Sequence, residues 1–214
     1  MKAKQIFLTL SLVMVSLYTY SQITGSKHDF SSATWNAGTD EICITCHTPH
    51  NSTTIAADSP LWNHDNTTKD FTAELYDSGT LDATMANPSG VSRLCLSCHD
   101  GTIALDSYGG ATGTSFITTV NADASVGDGV NGLQSEHPVS FTYNTALATT
   151  DGGLYDPSTQ ISGLGGTIDA DMLFAGSVEC SSCHDVHNAV GGETVGLLVK
   201  SNGSSALCMT CHNK

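Results

Sequence analysis

Four pairs of cysteines recur along the chain, and the two members of each pair are always separated by two residues. The pairs are Cys43/Cys46, Cys95/Cys98, Cys180/Cys183 and Cys208/Cys211. A histidine directly follows every pair, at His47, His99, His184 and His212. The pattern CxxCH is the attachment signature of c-type haem, in which the two thiols bond to the porphyrin and the histidine ligates the iron. The sequence therefore predicts four covalently attached c-type haems.

The spacing within the motif has a physical basis. Two cysteines three residues apart lie on one side of a helical turn, so both thiols can reach the same porphyrin while the next residue points its imidazole at the iron. Zinc ribbons also use C-x-x-C pairs, and eight cysteines could instead form four disulfides. Neither alternative requires a histidine directly after every pair, so the pattern favours haem.

Histidines outside the motifs are the candidate sixth ligands of the irons. There are five of them, at His28, His50, His64, His137 and His187. Four irons need four such ligands, so the supply covers bis-histidine ligation throughout with one histidine to spare. Only Met85, Met172 and Met209 follow the N-terminal apolar run, and Met209 lies inside an attachment motif, which disfavours His/Met ligation. Each of the five could also be an ordinary surface or core residue. Since His50 and His187 follow an attachment histidine by three residues, each must ligate a different haem or none.

The N-terminus has the features of an export signal. Lys2 and Lys4 precede an apolar run over residues 6–18, and small residues stand before a cleavage point at Gln22. The run is shorter than the ~20 residues that a membrane-spanning helix needs, which disfavours a retained anchor. We therefore expect residues 1–21 to be a signal peptide. The mature chain would be exported, to the outer cell surface or extracellular space or, alternatively, to the periplasm.

The composition excludes several classes of function. The chain has 21 acidic and 7 basic residues, with a formal net charge of −14 at pH 7, so nucleic acid and anionic membranes would repel it. A multihaem enzyme needs an open iron position and usually cations that hold an anionic substrate. Here the histidines suffice to close every iron, and the only arginine is Arg93. We predict an electron-transfer protein with no catalytic residues.

The chain has little material for a conventional core. It contains 21 glycines and few long aliphatic runs, so four large apolar porphyrins would have to form much of the interior. We predict a mostly irregular, loop-rich fold with short α-helices, in which helices near residues 92–99 and 204–212 carry attachment sites. The Gly- and Thr-rich segment over residues 109–134 is predicted to be a surface loop.

The motifs occur as a repeat of two units. The first and third sites read CITCHTPHN, from Cys43, and CSSCHDVHN, from Cys180. The second and fourth read SGVSRLCLSCH, from Ser89, and NGSSALCMTCH, from Asn202. We therefore divide the mature chain into two dihaem halves, residues 22–120 and 121–214, which the haems would join into one integrated domain.

Segments outside the attachment sites carry a resemblance to a known family. KHDF, EICITCHTPHN, PLWNH, SRLCLSCHDGT, EHPVSFTY, VECSSCHDVHN and SALCMTCHNK occur in that order. The chain resembles the doubled-CxxCH multihaem cytochromes, and most closely the OmcE-type tetrahaem outer-surface cytochromes that polymerise into conductive filaments. The resemblance implies low-spin bis-histidine haems stacked in a continuous chain. It also implies a distal histidine donated between subunits, which by match would be His50, completing the haem at Cys208, Cys211 and His212 of the next copy.

The position of the sites along the chain agrees with such a link. The first site lies near the start of the mature chain and the fourth lies at its end. A ligand passed from the first-haem region to the last haem of another copy is a head-to-tail contact, which does not close on itself and generates a fibre. A monomeric periplasmic carrier with all ligands internal is the alternative. In either case the partners would be other redox proteins or extracellular electron acceptors.

Overall fold

A computed structural model describes most of the chain. The described residues are 23–36, 40–53, 59, 61–127, 132–187 and 196–213. The predicted signal peptide at residues 1–21 and Asn188, which ends the third motif, lie outside them.

Short elements joined by long irregular segments make up the described part of the chain. The α-helices are α1 (Gly90–His99), α2 (Ile117–Val120), α3 (Thr145–Asp151), α4 (Ile168–Met172) and α5 (Cys208–Cys211). Single turns of 3-10 helix occur at Phe30–Ser32, Thr34–Asn36, Ala122–Ala124, Cys180–Ser182 and Gly203–Ser205. Two short antiparallel strands, β1 (Phe141–Thr142) and β2 (Ser177–Val178), pair Phe141 with Val178. The described residues thus contain few, short helices and long loops, whereas a fold organised around stacked haems stays a prediction.

Over the described residues, no helix is both long enough and apolar enough to cross a membrane.

Buried apolar side chains in the described residues form two clusters. The larger lies in the second half, where Phe141, Tyr143, Ile168 and Met172 are among the buried members. The smaller lies in the first half and contains three buried residues, Phe71, Leu96 and Leu133. Leu96 belongs to the second attachment motif, so this small cluster holds helix α1 in place.

The segment over residues 109–134 differs from the predicted surface loop. It forms α2, whose first residue Ile117 is buried, and Leu133 enters the smaller apolar cluster. The Val126 amide donates to the carbonyl oxygen of His99 at 2.8 Å. The prediction was wrong at α2 and at the buried residues of this segment, since Leu133 and Val126 pack in the smaller cluster with Leu96 of the second attachment motif.

The fourth attachment site is held by the region around α3. Asn144 caps α3 by accepting a hydrogen bond from the Leu147 amide at 3.0 Å, and the helix ends at Gly152, whose φ of 68° is left-handed. The chain then turns back, and the Tyr155 amide donates to the carbonyl of Cys211 at 2.9 Å. The short helix α5, which carries the fourth motif, is thereby fixed against the larger cluster.

Candidate haem sites

Each CxxCH motif folds into a tight turn. The histidine amide donates to the carbonyl of the first cysteine in the first, third and fourth motifs, from His47 at 2.8 Å and from His184 and His212 at 3.0 Å each. The second motif forms the last two turns of α1. These backbone bonds place both thiols and the imidazole of a motif on one side of one turn, as the spacing predicts.

Backbone carbonyls orient two of the attachment imidazoles. Nδ1 of His99 lies 2.7 Å from the carbonyl oxygen of Ala124, and Nδ1 of His184 lies 2.7 Å from that of Gly196. A carbonyl can only accept, so Nδ1 carries the proton and Nε2 keeps its lone pair. Metal-ligating histidines in proteins have this arrangement, with the second ring nitrogen bonded to a carbonyl or carboxylate. Both imidazoles are therefore prepared to bind through Nε2.

Three of the four attachment histidines face a histidine from outside the attachment pattern. The ring centroids are 6.0 Å apart for His47 and His187, 6.0 Å for His99 and His28, and 6.3 Å for His212 and His137. Two imidazoles on opposite sides of one metal ion, each at a metal–nitrogen distance of about 2 Å, place their ring centres about 6 Å apart. The three spacings thus fit bis-histidine ligation of one iron per pair.

His28 has the protonation state that a metal ligand needs. Burial, followed by the neighbouring imidazoles of His99, His184 and His187, lowers its pKa to about 4, so the ring is neutral near pH 7. Its buried Nδ1 has no hydrogen-bond partner in the described part of the chain. A neutral imidazole with an unsatisfied ring nitrogen suits metal ligation. The donor set of the second site therefore fits a haem iron.

His50, His64 and His184 are the three histidines that form no ring pair with another histidine among the described residues. His50 and His184 are exposed, and His184 lies close enough to His28 for its charge to lower the pKa of His28. The His50 carbonyl accepts a hydrogen bond from the Thr48 hydroxyl at 2.8 Å. The third attachment site is therefore the one whose histidine has no paired ring in the described part of the chain.

His64 differs from the other four candidate distal ligands. It is fully buried, its Nδ1 lies 2.7 Å from the carbonyl oxygen of Asp65, and its Nε2 lies 3.0 Å from that of Ala104. Nε2 is also 3.5 Å from the Cys98 sulfur. Because both ring nitrogens face protein acceptors, His64 has no nitrogen directed at an open space and becomes the candidate for the spare histidine. Nothing in the sequence distinguished it from the others.

Cysteines of successive attachment sites lie close together. The Cys95 thiol hydrogen-bonds Cys180, which raises the pKa of Cys95 and lowers that of Cys180. Burial raises the pKa of Cys98, and the nearby Cys46 adds to the rise. The second site thus adjoins the first site through Cys98 and the third site through Cys95.

A similar contact joins the third and fourth sites. The raised pKa values of the buried thiols also disfavour thiolate chemistry. Burial raises the pKa of Cys211 to about 11, with a further contribution from Cys183. Burial also raises the pKa of Cys46 to about 11. Such thiols stay protonated near pH 7, whereas zinc binding and nucleophilic catalysis require thiolates. The eight cysteines form no disulfide, and no group of three or more potential ligands is arranged to hold a metal ion among the described residues.

Two buried carboxylates adjoin the attachment motifs, and the sequence analysis did not single them out. Asp100 follows His99 and accepts from the Thr102 amide at 2.8 Å and the Thr102 hydroxyl at 2.7 Å. Glu179 precedes Cys180 and is 4% exposed. Their position next to the motifs is visible in the sequence, but their burial depends on contacts with residues that are distant in the sequence.

Comparison with known protein families supports the two attachment sites of the second half. A family model described as "Doubled CXXCH motif" matches residues 173–214, which contain the third and fourth attachment sites. No curated protein matches the chain significantly. The CXXCH motifs indicate covalently bound c-type haem, and the doubled motif supports a multihaem c-type cytochrome that carries electrons.

Proposed function

We propose that the protein is a tetrahaem c-type cytochrome that carries electrons through four bis-histidine haems. The observation that carries the proposal is the set of three facing pairs, each of which joins one attachment histidine to one histidine outside the attachment pattern. When bound, each haem supplies reversible one-electron exchange between Fe(III) and Fe(II). Two imidazoles at each iron leave no position for a substrate, so the proposed activity is electron transfer without bond making.

The residues of the chain have distinct parts in this proposal. The eight cysteines anchor the porphyrins, and His47, His99, His184 and His212 supply the proximal ligands. The carbonyls of Ala124 and Gly196 hold the protons on Nδ1 of His99 and His184, which keeps Nε2 available. The apolar clusters pack against Leu96 of the second motif and against Cys183 and Cys211 of the third and fourth.

The contacts between neighbouring cysteines support an order of electron flow. Cys46 adjoins Cys98, Cys95 adjoins Cys180, and Cys183 adjoins Cys211. Each contact joins sites that are consecutive in the sequence. We therefore propose that electrons pass along the haems in chain order, from the first site to the fourth or in reverse.

We further propose that the protein is exported and assembles as the subunit of an extracellular conductive filament. The resemblance to filament-forming cytochromes supports this, and so do two exposed histidines, His50 and the attachment histidine His184, for which the described residues contain no paired ring. His137 opposite His212 competes with the earlier hypothesis that His50 of a neighbouring copy completes the fourth haem. The geometry favours the third haem, at His184, as the acceptor of His50.

The internal repeat supports the same acceptor. His187 of the third motif faces His47 of the first motif. If the two halves are equivalent, His50 of the first motif should face His184 of the third. In a fibre, where the halves follow one another, this second pair would form between neighbouring copies. In a chain whose two halves are related by a two-fold axis, the pair would form within that chain. The second arrangement corresponds to the alternative function, a soluble periplasmic tetrahaem carrier.

The absorption spectrum and electron microscopy of the haem-loaded protein test the proposal together. Four covalent haems with low-spin spectra and fibres that repeat by one subunit are expected. Discrete particles at the monomer mass with all irons low-spin would support the periplasmic carrier. A five-coordinate high-spin iron that persists in assembled protein would contradict electron transfer as the sole activity and favour an enzyme.

A further inference from the structure

The buried carboxylate of Glu179 lies at the junction of the second and third attachment sites. It directly precedes Cys180 in the sequence, and its side chain reaches back to the start of α1, which carries the second motif. Oε2 accepts hydrogen bonds from the Ser92 amide at 3.2 Å, from the Ser92 hydroxyl, and from the Ser140 hydroxyl at 2.9 Å. The donors come from both halves of the chain, so Glu179 lies where the halves meet.

The surroundings are built to hold this carboxylate in one place. The Ser92 hydroxyl also accepts a hydrogen bond from the Cys180 amide at 2.9 Å, which connects the carboxylate to the third motif. Gly90 has a φ of +52°, and a Cβ atom there would lie 3.1 Å from Oε1 of Glu179. Glycine at position 90 therefore permits both the left-handed backbone and the close approach of the acid.

The charge of Glu179 is not neutralised by a cation. Its hydrogen-bond donors are hydroxyl and amide groups, and it forms no ion pair with any residue that the structure describes. Neutral donors stabilise a buried carboxylate but leave its net charge in place. In a site screened from water, such a charge acts on its neighbours more strongly than an exposed one does.

The field of Glu179 reaches both sites. The pKa of the Cys95 thiol is raised by its hydrogen bond to Cys180, by burial and by nearby negative groups that include Glu179. Cys95 belongs to the second site and Cys180 to the third. The two thiols would carry porphyrins, so a charge that acts on the thiols acts on the edges of both haems.

We infer that Glu179 is a tuning residue that lowers the reduction potentials of the second and third haems together. This inference depends on the proposed haem function. An oxidised haem carries one more positive charge than a reduced one, so a fixed negative charge nearby stabilises Fe(III) and lowers the potential. Because Glu179 lies between the two sites, it would keep the middle of the electron path at similar potentials.

Potentiometric titration of the haem-loaded protein, followed by its visible spectrum, tests the inference. The measured step is the one-electron reduction of Fe(III) to Fe(II), with the titrating reductant as the source of electrons. Glu179→Gln keeps the size of the side chain and an acceptor oxygen. In this variant we expect the reduction potentials of two haems to rise, which shifts their part of the titration curve upward. The matched control is Asp70→Asn, which removes the same charge from an exposed side chain and should shift the curve much less.

A second variant tests the same charge through its hydrogen bond. Ser92→Ala removes the hydroxyl that donates to Glu179, and loss of a donor to a buried carboxylate favours the uncharged form, so the same part of the curve should shift upward, as in Glu179→Gln, but by less. This variant also tests the inference if Glu179→Gln fails to mature with haem. A purely structural role for Glu179 would lower stability in both variants without shifting either curve.

The outcomes separate this inference from the proposed function. A wild-type protein with four low-spin haems, in which Glu179→Gln shifts the curve no more than Asp70→Asn, overturns the tuning role alone. The absence of any shift in Ser92→Ala overturns it as well. A wild-type protein without covalent haem overturns the proposed function and the inference with it.

Discussion

The imidazole rings of His47 and His187 lie nearly parallel, at an angle of 16°, with their centroids 6.0 Å apart. The first residue belongs to the first attachment motif, and the second follows the third motif. This contact joins the two halves of the chain, and it satisfies the requirement that a histidine three residues after an attachment histidine ligate another haem. The following predictions depend on this and the two similar pairs.

Replacing His187 by alanine should leave four covalent haems but remove the distal ligand of the first one. One iron per chain should then become high-spin, because a five-coordinate haem has a weaker ligand field. Electron paramagnetic resonance and intact-mass measurement together check the result. The matched control is His184→Ala, which removes a proximal ligand at another site. Full low-spin character in His187→Ala would contradict the pairing of His47 with His187.

Ring orientation should distinguish the pairs spectroscopically. The His47/His187 planes are nearly parallel, whereas those of His137 and His212 meet at 78°. Mutual orientation of axial imidazoles alters the splitting of the iron d orbitals, so low-temperature paramagnetic resonance should contain a rhombic low-spin signal and a strongly anisotropic one. His137→Ala should remove the anisotropic signal alone. Loss of the rhombic signal instead would show that the pairs are wrongly assigned.

Replacing His64 by alanine should destabilise the protein without changing any iron. The ring nitrogens of His64 lie against the buried carbonyls of Asp65 and Ala104, and a neutral imidazole donates to one of the two; loss of such a hydrogen bond costs about 1–3 kcal/mol of unfolding free energy. Denaturant unfolding measures the cost, and the absorption spectrum reports the spin state. His28→Ala is the comparison, since it should convert one iron to high spin. A high-spin iron in His64→Ala would make His64 a ligand.

Phe71→Ala should be strongly destabilising despite the small size of its cluster. Phe71 is 1% exposed and packs with Leu96 of the second motif and with Leu133. Truncation of a buried phenylalanine costs about 3–5 kcal/mol of unfolding free energy, measured by denaturant titration. The control is Leu61→Ala, because Leu61 is 55% exposed and its loss should cost much less. Equal effects of the two variants would show that the cluster does not stabilise the fold.

Replacing His50 by alanine tests assembly. Four covalent haems should remain, fibres should be lost, and one iron per chain should be high-spin because the third site lacks its donor. The matched variant is His187→Ala, which should disturb ligation within one chain while leaving the His50 contact intact. Electron microscopy shows the fibres, and the spectrum gives the spin state. Fibres formed by His50→Ala with all irons low-spin would exclude His50 as the bridging ligand.

Local features of the site could be predicted from the sequence because they depend on residues near one another in the chain. The spacing of cysteine and histidine sets the attachment turn, and the repeat of glycine, serine and leucine before Cys95 places that motif at the end of a helix. Composition alone indicated short helices and long loops. Such features concern a single turn or the average composition, so they can be predicted without knowing any long-range contact.

The contacts that decide function could not be predicted, since they join distant parts of the chain. Nothing near His187 points to His47, and nothing near His64 shows that both its nitrogens would meet carbonyls. The segment over residues 109–134 looked like a surface loop because only a few of its residues, such as Ile117 and Leu133, are apolar. Burial of Glu179 depends on Ser92 and Ser140, which come from other parts of the sequence.

We propose that four haems are attached to this one chain through its eight cysteines. Intact-mass spectrometry of the purified protein, unfolded and without reductant, tests this most directly, because thioether bonds survive unfolding whereas a bound zinc ion does not. We expect the mass of the polypeptide plus four haems. The mass of the bare polypeptide, or of the polypeptide less the eight hydrogens lost in four disulfides, would contradict it.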